Sequence, residues 1–207
     1  MINKKLGKTL ALLACVSISL YPANQGRAYS GNDAMKYAEK WYNGYNTKQY
    51  YKAGKDCTNF VSQCMVAGGK KKSSSLPKYY SEKHWRPHSA TWENATYFRK
   101  YWKDRAESNF SVKLDASKYS HDALIQEKKK ISSRIMRNLK VGDVIQYGSS
   151  SSDVRHSQII VGLIYDPVTD SYTYRLAQHS SPSNKCVLTD YLSTLGGTTY
   201  CYKFSTK

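Results

Sequence analysis

The stretch that decides the fold is residues 56–69, DCTNFVSQCMVAGG. Its apolar residues recur at helical spacing and Gly68-Gly69 is a typical helix stop, so it predicts a helix with one face packed inward. Asp56 is expected as the N-cap, where its carboxylate accepts hydrogen bonds from the free amides of the first turn. Cys57 then lies at the positive end of the helix dipole, which favours thiolate over thiol.

Cys57 is the candidate nucleophile of the chain. An isolated cysteine is more often a buried packing residue, and this is what we expect of Cys64, on the inward face of the same helix. The helix-start position of Cys57, together with histidines downstream, favours catalysis instead. Such a site also needs an imidazole that takes and returns a proton, and a polar group that orients the ring.

Two histidines satisfy this need best, because each lies at the end of a predicted strand. His156 begins the strand 156–165, and His179 follows the strand 172–177. If the two strands form a hairpin, both rings fall at the same end of the sheet, so we predict both as catalytic residues. The main-chain amide of Cys57 is a candidate oxyanion donor. The side chains that remain as orienting or oxyanion candidates are Asp56, Asn59, Gln178 and Asn184.

The order of predicted elements indicates the α+β class, with helices first and antiparallel strands after them. A helix capped by Asn32 or Asp33 opens the region, and an amphipathic helix is predicted over 89–105. Residues 113–138 are interpreted as loops with a short helix, and 148–153 as a flexible serine loop. Strands are predicted after 139–142, over 156–165 and 172–177, and over 198–204.

Residues 1–28 have the pattern of a secretion signal. Basic residues precede the apolar run Leu10–Leu20, which is too short to span a membrane. Cleavage is expected after Ala28, with Ala23 as the alternative, and residues 12–15 also resemble a lipoprotein box. The sequence therefore predicts a secreted protein whose single domain covers 29–207.

The charge of the chain points to anionic partners. The formal net charge is +17, and removing residues 1–28 takes away four basic residues and no acidic one, leaving +13. For a secreted protein, the anionic polymers of a cell wall, such as teichoic acids or peptidoglycan, are the natural candidates. Nucleic acid is not expected, because no recognition motif accompanies the charge. The lysine runs 70–72 and 128–130 are interpreted as solvated surface.

The cysteines and histidines predict neither a metal site nor a cofactor. No CxxC pair and no Cys/His cluster with zinc spacing occurs. A disulfide between Cys186 and Cys201, which flank the last segment, remains open. The protein is expected to be a monomer.

The chain also resembles a known family. Residues 56–63 followed by Gly68-Gly69 are similar to the signature of the "putative amidase domain" family of bacterial secreted proteins. Further similar segments are 34–41, 92–101, 141–145, 156–161 and 178–179, so that the resemblance spans roughly 30–205. It implies a papain-like fold near the CHAP and NlpC-type wall hydrolases, with the nucleophile helix packed on a C-terminal antiparallel sheet. It also implies Cys57 as nucleophile, His156 as base and His179 as the third polar residue.

The function predicted from these observations is a secreted cysteine amidase or peptidase that cuts amide bonds in cell-wall peptides through a thioester. A non-catalytic basic wall-binding module is one alternative. An acyltransferase on the same Cys-His pair is another, because hydrolysis and transfer pass through the same thioester.

Overall fold

The described residues form helices, most of them short, and a single set of strands. The computed structural model describes residues 28–76 and 78–204. The helices are α1 Gly31–Trp41, α2 Cys57–Ala67, α3 Ala90–Glu93, α4 Ala95–Trp102, α5 His121–Asn138 and α6 Leu188–Tyr191, with a 3-10 turn at Ala116–Lys118. The strands are β1 Ser108–Lys113, β2 Val144–Ser150, β3 Asp153–Asp166, β4 Ser171–Gln178, β5 Ser183–Val187 and β6 Thr198–Lys203.

The strands form one six-stranded sheet in the order β1-β6-β2-β3-β4-β5. Every neighbouring pair is antiparallel. The strands β3 and β4 form the predicted hairpin, which turns between Asp166 and Ser171. Helices packed on an antiparallel sheet confirm the α+β class.

Strand alternation divides the apolar residues between the two faces of the sheet. In β2, Val144 packs with α1, α2 and α4, whereas Ile145 and Tyr147 pack with α5 and α6 on the opposite face. In β3, Ile159 and Ile160 are divided in the same way. Successive side chains of a strand point to opposite faces, so a sheet covered on both sides needs apolar residues at consecutive positions.

Helix α2 begins at Cys57 and ends before Gly68, as predicted, but it is buried on every side rather than on one face. Residues 57–65 are all buried, including four polar side chains. Each of these polar side chains has a hydrogen-bond partner outside the helix. Thr58 bonds Ser157, and Gln63 bonds Tyr37. Asn59 bonds Asp56, Tyr51 and Trp92, and Ser62 bonds Trp85 and Trp92. These hydrogen bonds therefore specify how α2 packs against its neighbours.

The prediction for residues 113–138 was wrong. Ser120 caps an 18-residue helix, α5, by accepting a hydrogen bond from the main-chain amide of Ala123. Within α5 only Ile131, Ser132 and Ile135 are buried, so the apolar stripe is narrow and the sequence signal for a helix is weak. The strand β1, just before it, was also missed, as were β5 and α6.

Two helix starts and one loop also differ from the sequence prediction. The helix predicted over 89–105 is broken at Asn94, whose side chain accepts from the amides of Thr96 and Tyr97 and so starts α4 anew. The cap of α1 is Ser30, not Asn32 or Asp33. The serine stretch 148–153 is not a flexible loop, because β2 and β3 extend into it.

The four cysteines of the described residues are free. Cys186 lies in β5 and Cys201 in β6, and three other strands separate them in the sheet, so the disulfide that the sequence left open is not formed. Cys64 is fully buried in the core, as predicted.

No helix within the described ranges is long and apolar enough to cross a membrane. The signal prediction for 1–28 falls, apart from Ala28, outside the described residues.

A close contact between Gly31 and Gly142 fixes α1 against the turn that precedes β2. Gly142 has a φ of +86°, and a Cβ atom added to it would lie 2.2 Å from the Cα atom of Gly31. We expect Gly142→Ala to lower the free energy of unfolding by on the order of 2–3 kcal/mol, because it adds both overpacking and backbone strain. Urea unfolding measures this. Gly54→Ala is the control, since a Cβ atom there meets nothing within 4 Å, and equal midpoints for the two variants would contradict the expectation.

Candidate active site

Cys57 is the first residue of α2 and its side chain is buried against β3. The side chain of His156 and the main-chain amide of Ser157 lie near the sulfur, and both stabilise its charged form. The hydroxyl of Thr58 lies 3.7 Å from the sulfur and 2.9 Å from the hydroxyl of Ser157. These contacts attach the start of α2 to the strand that carries His156.

Asp56 occupies the N-cap position, but the predicted capping hydrogen bond is not made. Its Oδ1 atom accepts from the main-chain amide of Ala53 at 2.9 Å and from Asn59 Nδ2 at 2.7 Å. Asp56 therefore shapes the loop before the helix and leaves the first-turn amides without a carboxylate partner. The amides of the first helical turn have no acceptor within their own helix. The main-chain amide of Cys57 can therefore serve as an oxyanion donor.

Asn59 does not point to the sulfur as an oxyanion donor. Its amide group donates to Asp56 and to the carbonyl of Tyr51, and its carbonyl oxygen accepts from Trp92 Nε1 at 2.6 Å. Both ends of the side chain are thus occupied by structural bonds. Asn184 also lies elsewhere, where its Nδ2 atom donates to Glu39 Oε2 at 2.6 Å.

Gln178 is the group that orients His156. Its Oε1 atom lies 2.7 Å from His156 Nε2. The other end of the amide, Nε2, donates to the carbonyl of Ser181 at 2.8 Å, so it is the oxygen that faces the ring. An oxygen acceptor there requires a proton on His156 Nε2, which leaves Nδ1 for the sulfur of Cys57.

Sequence reasoning missed the groups that support this pair. The Oε1 atom of Gln178 also accepts from Gln158 Nε2 at 2.6 Å and from the hydroxyl of Tyr191 at 3.1 Å. The ring of His156 is near-parallel to that of Tyr147, at 6.3 Å between centroids, and to that of Tyr191, at 6.1 Å. Strand alternation, which places residues 156, 158 and 178 on one face of the sheet, is the only sequence pattern that indicates these supporting groups.

His179 follows Gln178 at the end of β4, but its ring nitrogens face groups other than Cys57 and His156, so no contact supports its predicted catalytic role. His179 Nδ1 lies 2.5 Å from Asp56 Oδ2, and Nε2 lies 2.8 Å from the carbonyl oxygen of Trp41. Both ring nitrogens therefore face oxygen atoms that belong to the structure around the ring. The ring also stacks on Phe60 at 4.0 Å between centroids. The physical reason is alternation, since adjacent residues at a strand end face opposite sides of the sheet.

The electrostatics of Cys57 and His156 favour an ion pair. Burial raises the pKa of the Cys57 thiol, but the hydrogen bond and charge of His156, with bonds from Thr58 and the Ser157 amide, outweigh it and leave the pKa lowered. Burial lowers the pKa of His156, but the bond and charge of Cys57 and the bond to Gln178 leave the pKa raised. These opposite shifts are the signature of a thiolate beside an imidazolium.

A cleft of about 500 Å³ opens beside the sulfur, a volume suited to a small ligand. It lies between the start of α2, the junction of α3 and α4, and the start of β3. Its lining residues are Lys55, Cys57, Thr58, Glu93, Asn94, Ala95, Thr96, Asp153, Val154 and Arg155. A larger cavity, of about 620 Å³ between α1 and α5, contains neither a cysteine nor a histidine. Of these two cavities, only the cleft is bordered by Cys57.

Two further histidines, His84 and His88, have local partners. His88 stacks on Tyr51 at 4.0 Å between centroids, and His84 Nδ1 lies 3.0 Å from the hydroxyl of Ser81. Among residues 28–76 and 78–204, no group of three His, Cys, Asp or Glu side chains is placed to hold a metal ion.

Fold and site define an α+β protein with a cysteine at a helix start, paired with a histidine on a sheet. The family model described as "Putative amidase domain" matches residues 28–203, and the chain belongs to this family. Over 79 residues it is 43% identical to "Uncharacterized protein YjcM" of Bacillus subtilis (strain 168). That match covers 38% of this chain and 17% of the relative, so the chain spans a small part of its length. No solved structure matches the chain significantly.

Gln178 and His179 are adjacent, but we expect substitution of Gln178 to lower activity and substitution of His179 to lower stability. Gln178→Ala removes the anchor of the His156 ring, so we expect about a hundredfold loss of kcat/KM on an activated amide or ester, with the fold retained. His179→Phe leaves the Asp56 carboxylate buried without its partner, so we expect a loss of unfolding free energy of about 3 kcal/mol or more.

Steady-state kinetics and urea unfolding of both variants measure the contrast. A Gln178→Ala protein with unchanged kcat/KM would contradict the orienting role of Gln178. A His179→Phe protein as stable as the parent would contradict the structural role of His179.

Proposed function

We propose that the protein is a secreted cysteine amidase that cuts amide bonds in the peptides of a bacterial cell wall. One observation carries the proposal: His156 stabilises the charged form of the Cys57 sulfur and is itself held by Gln178, while Cys57 borders a cleft. Membership of the amidase family supports hydrolysis of an amide. A helix-start cysteine facing a strand histidine also supports a papain-like arrangement.

The proposed reaction has two stages. The thiolate of Cys57 attacks the amide carbonyl carbon, and the negative charge on the carbonyl oxygen is stabilised by the main-chain amide of Cys57. The Nδ1–H group of His156 protonates the leaving amine, the C–N bond breaks and a thioester forms. His156 then takes a proton from water, the hydroxide attacks the thioester, and the C–S bond breaks to give a carboxylic acid and the restored thiolate.

The cell wall is proposed as the location of the substrate on two grounds. Residues 1–28 have the pattern of a secretion signal, and the remaining chain carries a net charge of +13, which favours anionic polymers. The wall-binding module is the weaker proposal, because a binder gains nothing from a cysteine whose pKa is lowered by a histidine. An acyltransferase uses the same thioester and differs only in the nucleophile that resolves it.

Cys57→Ser tests the nucleophile directly. A histidine that pairs with a thiolate does not ionise a serine hydroxyl, so the release of peptide fragments from purified peptidoglycan should fall by more than roughly a thousandfold. Mass spectrometry of the soluble fragments measures this. Cys64→Ala is the matched control on the same helix, with an expected loss of about 1 kcal/mol in stability and little change in rate. Fragment release by Cys57→Ser at the parent rate would contradict the cysteine mechanism.

Salt dependence tests the proposed role of the charge. If basic surface residues hold the protein on an anionic wall, binding to purified walls should weaken steeply between low and physiological salt, since exposed charges more than ~10 Å apart are then screened. Turnover of a small soluble amide should barely change, because Cys57 is buried. Wall binding that persists at high salt would contradict electrostatic attachment.

A further inference from the structure

The cleft beside Cys57 contains two acidic side chains, Glu93 and Asp153, that the proposed mechanism does not use. Glu93, the last residue of α3, lines the same cleft as the nucleophile. Two other charged residues there, Asp153 and Arg155, neutralise each other through contacts of 3.0 Å and 2.5 Å. Glu93 has no such partner, because none of the ion pairs among the described residues includes it.

The carboxylate of Glu93 is held in place from one side. The hydroxyl of Tyr51 donates to its Oε2 atom. Tyr51 in turn stacks on His88, and its carbonyl accepts from the buried side chain of Asn59. One oxygen of the carboxylate is therefore fixed, while the other has no hydrogen-bond partner among the described side chains. A positioned group of this kind suits the recognition of a ligand.

The half-buried position of Glu93 determines the kind of ligand. Burial raises the pKa of Glu93, as expected for a carboxylate that is partly removed from water. A partly desolvated carboxylate is stabilised most by a cation that donates hydrogen bonds to it. Lys55, also in the cleft, is exposed and forms no ion pair with it within 4 Å.

We propose that Glu93 binds the ammonium group of the substrate, so that the enzyme prefers amides that carry a free primary amine near the bond it cuts. Chain-terminal amines and the side-chain amines of diamino acids both have this chemistry. The proposal rests on the proposed function, since Cys57 must be the nucleophile for Glu93 to be a specificity residue. The role of Glu93 specifies the substrate class. The ammonium group of the substrate lies in the cleft at Glu93, and the carbonyl of the amide to be cut lies at the sulfur of Cys57.

The test uses a soluble peptide mixture from digested peptidoglycan, divided into two halves. Acetic anhydride converts the free amines of one half into neutral amides. We expect the parent protein to release fragments from the untreated half about 10–100 times faster, the range for the loss of one hydrogen-bonded charge pair. Glu93→Gln should remove this preference by slowing only the untreated half. Glu127→Gln is the matched control, because Glu127 bonds Lys130 on α5, across the sheet from α2.

Binding separates the two proposals. In a Cys57→Ser background, retention of peptides with the protein on ultrafiltration, measured by mass spectrometry, should favour free amines and lose this preference with Glu93→Gln. Equal retention of both halves would overturn the role of Glu93, whatever the rates. Amine-dependent retention that Glu93→Gln abolishes, in a protein that releases no fragments, would support the Glu93 site and count against the amidase function.

Discussion

The burial of α2 from Cys57 to Met65 is the constraint on which the rest of the structure depends. A helix that is buried on every side leaves each polar side chain dependent on a protein partner, because an unpaired buried group costs about 1–3 kcal/mol. Ser62 accepts from Trp85 and donates to the carbonyl of Trp92, and Thr58 pairs with Ser157. These bonds fix both the rotation and the position of α2 along its axis, and so they fix where Cys57 meets β3.

The chemistry at Cys57 results from a competition between burial and hydrogen bonding. Burial opposes a thiolate, and without His156 the same position would give an inert thiol, as it does for Cys64, whose pKa burial raises. The two cysteines on one helix differ in their partner, since His156 faces Cys57 and no ionisable group of the described residues stabilises a charge on Cys64. Gln178 secures that partner because its amide is already oriented by the carbonyl of Ser181.

Much of this arrangement was predictable from sequence. Helical spacing and Gly68 predicted α2 with its correct ends, and the predicted strands 156–165 and 172–177 do form a hairpin. The orienting residue was not settled, because Gln178 and His179 are neighbours and the histidine is the more familiar catalytic type. Strand alternation decides between them only once the register is known. The long helix α5 was missed since three buried residues hold it in place, and that packing is tertiary.

The most direct test of the Cys57–His156 ion pair is the rate of alkylation of Cys57 by iodoacetamide across pH, in a Cys64→Ala background. The lowered pKa of Cys57 means that the thiolate persists below the ordinary range for a thiol, and the raised pKa of His156 keeps its partner charged above the ordinary histidine range. At about pH 6 we expect alkylation roughly a hundredfold faster than in a His156→Ala variant, where the thiol is unassisted. A parent rate that instead falls about tenfold with each pH unit below 8, as for an ordinary thiol, would contradict the ion pair and the mechanism built on it.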